Sequence, residues 1–277
     1  SSELPFFLWI NFSRRLVNSY VTFGYLRTMI KVVLIGAGNV AVHMAKAMHT
    51  AKGIELVQRY ARSTKNQAYF ESNIPFTKSL SELKKADLYL LAINDDEIAE
   101  FSKQLNVSGL VAHTSGSIPL TELKCKSTKG VCYPVQTFSK NETMEYQNIP
   151  FCLEAEREKD MLLLKYFASA ISQNVFEINS GQREKLHLAA VFANNFSNHM
   201  FKLANDICIE QNFTFDILKP LLMETVVKLD HMSPLEAQTG PARRNDQKVI
   251  QKHLDQLNHT EKEIYQVITK SILKTYN

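Results

Sequence analysis

Lys31-Val32-Val33-Leu34-Ile35 runs directly into Gly36-Ala37-Gly38-Asn39-Val40-Ala41, and no other stretch restricts the possible folds so tightly. A short, β-branched apolar run reads as a buried parallel strand. The glycines then permit a sharp turn and a close approach of backbone to a ligand. Val40 to Met48 continues without Gly or Pro as a helix, whose first amides and dipole favour an anion such as a pyrophosphate. Ala41 stands where the pattern takes Gly or Ala for close packing of helix on strand. The spacing GxGxxA is weak by itself. Here a strand precedes it, a helix follows, and a second strand, Ile54 to Tyr60, comes soon after. In that order it reads as a dinucleotide site built on Gly36, Gly38, Asn39, Val40 and Ala41. The alternative is a phosphate-free turn in an ordinary α/β protein.

The end of the second strand bears on which dinucleotide. NAD-preferring sites place Asp or Glu about 20 residues past the glycines, on the ribose 2′-hydroxyl. No acidic residue stands between Glu55 and Glu71, and Arg62-Ser63-Thr64 follows the strand instead. A guanidinium and two hydroxyls suit a 2′-phosphate, since Arg forms charge-assisted, often paired bonds to phosphate oxygens. The expected cofactor is NADP, with Arg62, Ser63 and Thr64 at its 2′-phosphate. A solvated turn with an incidental Arg is the alternative.

At 277 residues the chain exceeds a typical single core, so two domains are expected. A net charge of +4 without a long Lys/Arg run leaves no footprint for nucleic acid, and no membrane partner is expected. Cys125, Cys132, Cys152 and Cys208 show no CxxC spacing, which fits reduced thiols in a cytoplasmic protein. Residues 1–28 differ from the rest. Leu4 to Ile10 is apolar, Arg14, Arg15 and Arg27 follow, and no acid comes after Glu3. That order is wrong for a secretory signal. Of two readings, a transit-type peptide and a natural start at Met29 with residues 1–28 not native, the second is simpler, because Met29 immediately precedes the first strand.

Beyond the second strand, apolar runs alternate with helical stretches. Strands are expected at Asp87–Ile93, Leu110–His113, Lys129–Pro134, Pro150–Leu153 and Asn174–Ile178, with helices at Glu97–Gln104 and near Arg157–Gln173. Such alternation argues for an α/β fold with a doubly wound, mostly parallel sheet. Ligands of such sheets lie beyond the carboxyl ends of the strands. Two of these ends, Ala92-Ile93-Asn94 and Thr114-Ser115-Gly116, join the expected cofactor site. From Gly181 the pattern is helical throughout, beginning with Gln182 to Gln211, which no Pro or Gly interrupts. The expected organisation is an extension over 1–28, a nucleotide-binding domain over 29–181 and a helical substrate and dimerisation domain over 182–277.

His187, Val191, Asn194 and Asn198 follow the spacing i, i+4, i+7, i+11 and share one face of an ideal helix. Such a stripe can present a proton donor and two amides to a bound substrate, and His titrates near neutrality as general acid work requires. A polar seam that satisfies buried backbone groups is the alternative. Leu186, Ala190, Ala193 and Met200 lie on another face and read as core. Lys185 points away from His187 but has a long stem, which makes it the second candidate. Arg243 and Arg244 lie in a turn from Thr239 to Asp246 and suit a substrate carboxylate or phosphate, or an acid across a subunit contact.

The glycine loop, His113-Thr114-Ser115-Gly116-Ser117, Tyr133-Pro134-Val135-Gln136-Thr137-Phe138, His187 to Asn195 and Thr239 to Asp246 together resemble one group of bacterial proteins. These pair a Rossmann NADP-binding domain with a helical C-terminal domain of unassigned function, and are provisionally described as NADP oxidoreductases. They are similar to pyrroline-5-carboxylate reductase and to the 6-phosphogluconate dehydrogenase-like superfamily. The resemblance covers about residues 29–277, and the N-terminal half alone also resembles deazaflavin-dependent NADP reductases. It implies a Rossmann sheet followed by an all-helical domain, and pairing of two copies through the helical half. Two departures matter. The β-hydroxyacid dehydrogenase pattern sets a catalytic Lys three or four residues before an Asn, whereas Lys185 and Asn194 stand nine positions apart. Tyr133 precedes Pro134 where related proteins often have His, which bears on a second acid/base role.

The function expected from all this is an NADP(H)-dependent oxidoreductase that moves a hydride to or from a small carbonyl or imine. His187, Asn194 and Lys185 are the catalytic candidates; Asn198, Arg243 and Arg244 are the substrate-binding ones; no metal is expected. A non-catalytic NADP(H)-binding redox sensor is the rival, since no complete catalytic signature is present. A homodimer is expected, because Phe192, Phe196, Phe201, Phe213 and Phe215 enrich the helical half in apolar surface.

Overall fold

The computed structural model describes residues 29–276, and the expectations for residues 1–28 lie outside the described residues. Strands β1 (Ile30–Ile35), β2 (Ile54–Tyr60), β3 (Phe76–Thr77), β4 (Leu88–Leu91), β5 (Leu110–His113), β6 (Lys129–Pro134), β7 (Phe151–Ala155) and β8 (Val175–Glu177) form one sheet. Its order is β3-β2-β1-β4-β5-β6-β7-β8, and neighbours run parallel except for β6 and β7. This is the doubly wound, mostly parallel α/β sheet that the alternation implies. Successive side chains of β1 go to opposite faces. Val32 and Leu34 join the core under α1 (Asn39–Thr50) and α3 (Glu158–Ile171), while Val33 and Ile35 join Tyr89, Leu91 and Ile98 on the other side. A strand buried on both faces must be apolar throughout, which explains why only Lys31 of β1 is polar, and why it is exposed.

The chain leaves β1 toward β2 and β3, then returns to β4, β5 and β6 on the other side. The reversal lies between β1 and β4, where open α/β sheets have their ligand crevice. The short helix α2 (Ile98–Lys103) follows β4.

The chain divides into two compact units between Ala190 and Val191. The first ends with α4 (Ser180–Ala190). The second begins with a π-helical segment, Val191–Phe196, and continues in α5 (Ser197–Glu210), α6 (Lys219–Val227), α7 (Pro234–Ala237), α8 (Gln247–Leu254) and α9 (His259–Tyr276). Pro220 lies in the first turn of α6, the one place a helix accepts it without losing a hydrogen bond. Ser233 and Glu236 close a reciprocal capping box on α7, and the Asp246 carboxylate caps α8 by accepting from Val249 N–H at 3.2 Å. Residues 182–211 are therefore not one uniform α-helix. The π turn departs from the 3.6-residue period between Ala190 and Ser197, the period on which the spacing of His187, Asn194 and Asn198 was drawn. Leu186 and Ala193, expected in the core, are exposed. No helix among the described residues is long and apolar enough to cross a membrane.

Candidate functional site

Gly36 follows β1 with φ of +131°, and a Cβ added there would stand 2.1 Å from the Ala92 carbonyl oxygen. Only glycine fits both the dihedral and the space. Gly38 differs, since an added Cβ would meet nothing within 4 Å. The first intrahelical bond of α1 runs from Val42 N–H to the Gly38 carbonyl at 3.0 Å, so the amides of Asn39, Val40 and Ala41 have no helix carbonyl to bond. No side chain caps this end and no acid occupies its first turn. Ala41 is fully buried in the core shared with β1, the close helix–strand packing that its small side chain allows. The arrangement suits an anion.

A cleft of about 540 Å³ opens at this turn. Gly36, Ala37 and Gly38 form one side, and Ala92, Ile93 and Asn94 at the exit of β4 form another. The third wall follows β2 and contains Arg62, Ser63, Lys65 and Asn66, but not Thr64. Asn66 takes the left-handed conformation, φ 70°, and its side-chain amide donates to the Ala37 carbonyl at 2.9 Å. That bond fixes the loop after β2 against the glycine turn. Arg62 does not wait unpaired: its Nη2 lies 2.5 Å from the Glu97 carboxylate, which also lines the cleft.

Lys140 completes the wall from far away in sequence. Its loop is held by side chains of α1. Asn39 donates to the Phe138 carbonyl at 2.7 Å, Lys46 to the Lys140 carbonyl at 3.1 Å, and the buried His43 bonds the Ser139 carbonyl at 2.8 Å and Tyr146 Oη at 3.0 Å. Lys65, Glu97 and Lys140 were not singled out in sequence. Lys65 lies next to Arg62-Ser63-Thr64, which was the available signal; nothing local marks the other two.

At the exit of β5 the polar side chains serve the turn. Thr114 Oγ1 donates to the Leu91 carbonyl at 3.2 Å, and Ser115 Oγ accepts from the amides of Ser117 and Ile118 at 3.2 and 3.1 Å. Ser117 Oγ donates to Asp95 at 2.5 Å, tying this turn to the one after β4. His113 is completely buried and its Nδ1 accepts from Ser115 N–H at 3.2 Å. Burial, and then the nearby Arg183 charge, push its pKa down to about 4, so the imidazole is neutral at pH 7.

Beside this turn, His187 of α4 meets Tyr133 of β6, with Tyr133 Oη 3.2 Å from His187 Nδ1. Gly116 adjoins both: an added Cβ would stand 2.7 Å from Nδ1 and 2.8 Å from Tyr133 Cζ. The buried Arg183, one turn before His187, anchors α4 through an ion pair with Glu154 and a 2.6 Å bond to the Ile118 carbonyl. Lys185 is exposed. Asn194, Asn198, Arg243 and Arg244 belong to the second unit and are exposed, with the Arg243 guanidinium 4.4 Å from the centre of the Tyr276 ring.

The glycine turn, the free amides of α1 and the cationic far wall fit a dinucleotide. Residues 20–136 match the Rossmann-like domain family, and residues 149–272 match a domain of unknown function, DUF2520. A solved structure from Bacteroides fragilis, provisionally named an NADP oxidoreductase, is 37% identical, with a TM-score of 0.82 over 89% of this chain and 99% of that one. The chain belongs to the same family. Members of this Rossmann–DUF2520 family join the nucleotide-type sheet to a helical C-terminal domain. A likeness of fold alone extends to two pyrroline-5-carboxylate reductases. That of Streptococcus pyogenes is 12% identical with a TM-score of 0.60, covering 90% of this chain and 98% of that one. That of Plasmodium falciparum, solved with NADP bound, is 12% identical with a TM-score of 0.58, covering 90% and 99%. No curated protein matches the chain.

Proposed function

We propose that this chain is an NADP(H)-dependent oxidoreductase acting on a small carbonyl or imine. The observation that carries the reading is the cleft of about 540 Å³ that joins the glycine turn to Arg62, Ser63 and Lys65. Gly36, Gly38 and the amides of Asn39, Val40 and Ala41 would hold the pyrophosphate, and Arg62 with Ser63 the 2′-phosphate. When bound, NADPH would supply the hydride. The protein's part is to bind, orient and donate hydrogen bonds.

His187 is the group we assign to the substrate heteroatom. It stands beside Gly116 at the exits of β5 and β6, where parallel sheets place their chemistry. Its Nε2 bonds no group among the described residues, and the residue is partly exposed. The provisional name of the Bacteroides fragilis relative and the NADP in the Plasmodium falciparum enzyme point in the same direction.

Purified protein should be incubated with NADPH and a panel of small aldehydes, ketones and cyclic imines, following cofactor absorbance. Oxidation with at least one class is expected. Tight binding of NADPH without turnover across the panel would overturn the catalytic reading and leave a non-catalytic NADP(H)-binding protein.

A further inference from the structure

Tyr133 is the penultimate residue of β6, just before Pro134, and is only 8% exposed. Among the described residues its hydroxyl has one hydrogen-bonding neighbour, His187 Nδ1 at 3.2 Å, with the rings 6.0 Å apart and inclined at 73°. We propose that Tyr133 fixes His187 in the tautomer that carries its proton on Nε2, so that the imidazole offers a hydrogen-bond donor to a ligand at the exits of β5 and β6. Tyr133 is then a positioning residue.

A phenol has one proton to give, and a neutral imidazole has one N–H and one bare nitrogen. If Nδ1 carried the proton it would donate to Tyr133 Oη, and the phenol's own proton would have no protein acceptor among the described residues, on a residue only 8% exposed. Leaving such a donor unsatisfied costs about 1–3 kcal/mol. In the opposite arrangement Tyr133 Oη–H donates to bare Nδ1, and the proton on Nε2 belongs to the more exposed residue of the pair, where water or a ligand can accept it. The second arrangement satisfies every group.

The surroundings keep the pair in this state. Burial, joined by the Cys152 thiol and Asp95, pushes the Tyr133 phenol up, against the opposing charge of Arg183. The phenol therefore stays un-ionised and acts as a fixed donor, not as a source of protons. Arg183 locks the start of α4 through Glu154 and the Ile118 carbonyl, which holds His187 in place one turn later. Gly116 leaves the room in which the two rings meet, since a methyl group there would collide with both.

The role assigned to the donor rests on the reductase reading, but the tautomer does not, and the test separates them. Histidine-labelled, cofactor-free protein is examined by long-range ¹H–¹⁵N NMR, with His187→Gln identifying the signal. At a pH above about 8, where imidazoles are neutral, the expected result is Nδ1 bare and Nε2 protonated, and a mixture of tautomers in Tyr133→Phe. A wild-type His187 protonated on Nδ1 would overturn the proposal, whether or not the variant folds. So would a Tyr133→Phe tautomer identical to wild type. NADPH affinity should be the same in Tyr133→Phe and wild type; a tenfold loss would place Tyr133 in cofactor binding and contradict the assignment. If the tautomer is as stated and no substrate is turned over, the reductase reading fails and this one stands.

Discussion

Arg62 and Glu97 meet at 2.5 Å on the wall of the cleft, so a 2′-phosphate reaching Arg62 must share it with a carboxylate. Arg62 is 68% exposed, and a pair so open to water contributes about 1 kcal/mol or less. A phosphate can displace it. Arg62→Ala is expected to weaken NADPH binding by about 1–3 kcal/mol and leave NADH nearly unchanged. Glu97→Gln should instead tighten NADPH by up to about 1 kcal/mol. Calorimetry in which Glu97→Gln weakens NADH would place that carboxylate on a ribose 2′-hydroxyl and reverse the cofactor preference. His113 sets a pH limit on stability. Its folded pKa of about 4 lies below the ordinary 6.5, so between these values the unfolded chain binds a proton that the folded chain refuses. The stabilisation is complete above pH 6.5 and is lost as pH falls toward 4, a total of about 3 kcal/mol. His113→Asn keeps an acceptor for Ser115 N–H and cannot titrate. Urea unfolding should show a shallower acid-side slope in that variant, and equal slopes would refute the assignment. At this scale Arg62 and Ser63 were legible because they follow a recognisable strand. Glu97 and Lys140 were not, since only tertiary packing brings them to the same wall.

The glycine turn is the element whose sequence and structure agree most closely. A buried strand, a residue that must take φ of +131° and a helix with free amides each leave a local mark. Gly36→Ala forces a side chain into the Ala92 carbonyl and a left-handed backbone, and should cost at least about 2 kcal/mol in urea unfolding while removing NADPH binding. A variant of wild-type stability would show that the turn is not held as described. The strands β5 and β6 were legible to the residue, because apolar runs bounded by polar turns set their limits. The π segment Val191–Phe196 was not. Its sequence holds no Gly or Pro, and every spacing drawn through it assumed 3.6 residues per turn. The contact between Tyr133 and His187 was hidden for another reason. It joins a strand to a helix across 54 positions, and periodicity within one element carries no information about such pairs.

The second unit buries little by itself. Among the described residues from Val191 onward, only Cys208, Ala242, Thr269 and Ile250 are buried, while Phe192, Phe213, Ile217, Leu221 and Val267 are each more than half exposed. So many exposed large apolar side chains in one unit suit an interface. We expect a second copy of the chain to cover it, so sedimentation at micromolar concentration should give a dimer, and Leu221→Asp should shift it toward monomer. A wild-type monomer would contradict this. The cleft between the glycine turn and Arg62 is expected to hold NADP(H). Isothermal titration of the intact protein with NADPH and with NADH tests it directly. One site per chain is expected, with NADPH tighter by about 10- to 100-fold, the value of about one charged hydrogen bond. Equal affinity for the two, or no binding of either, would contradict it.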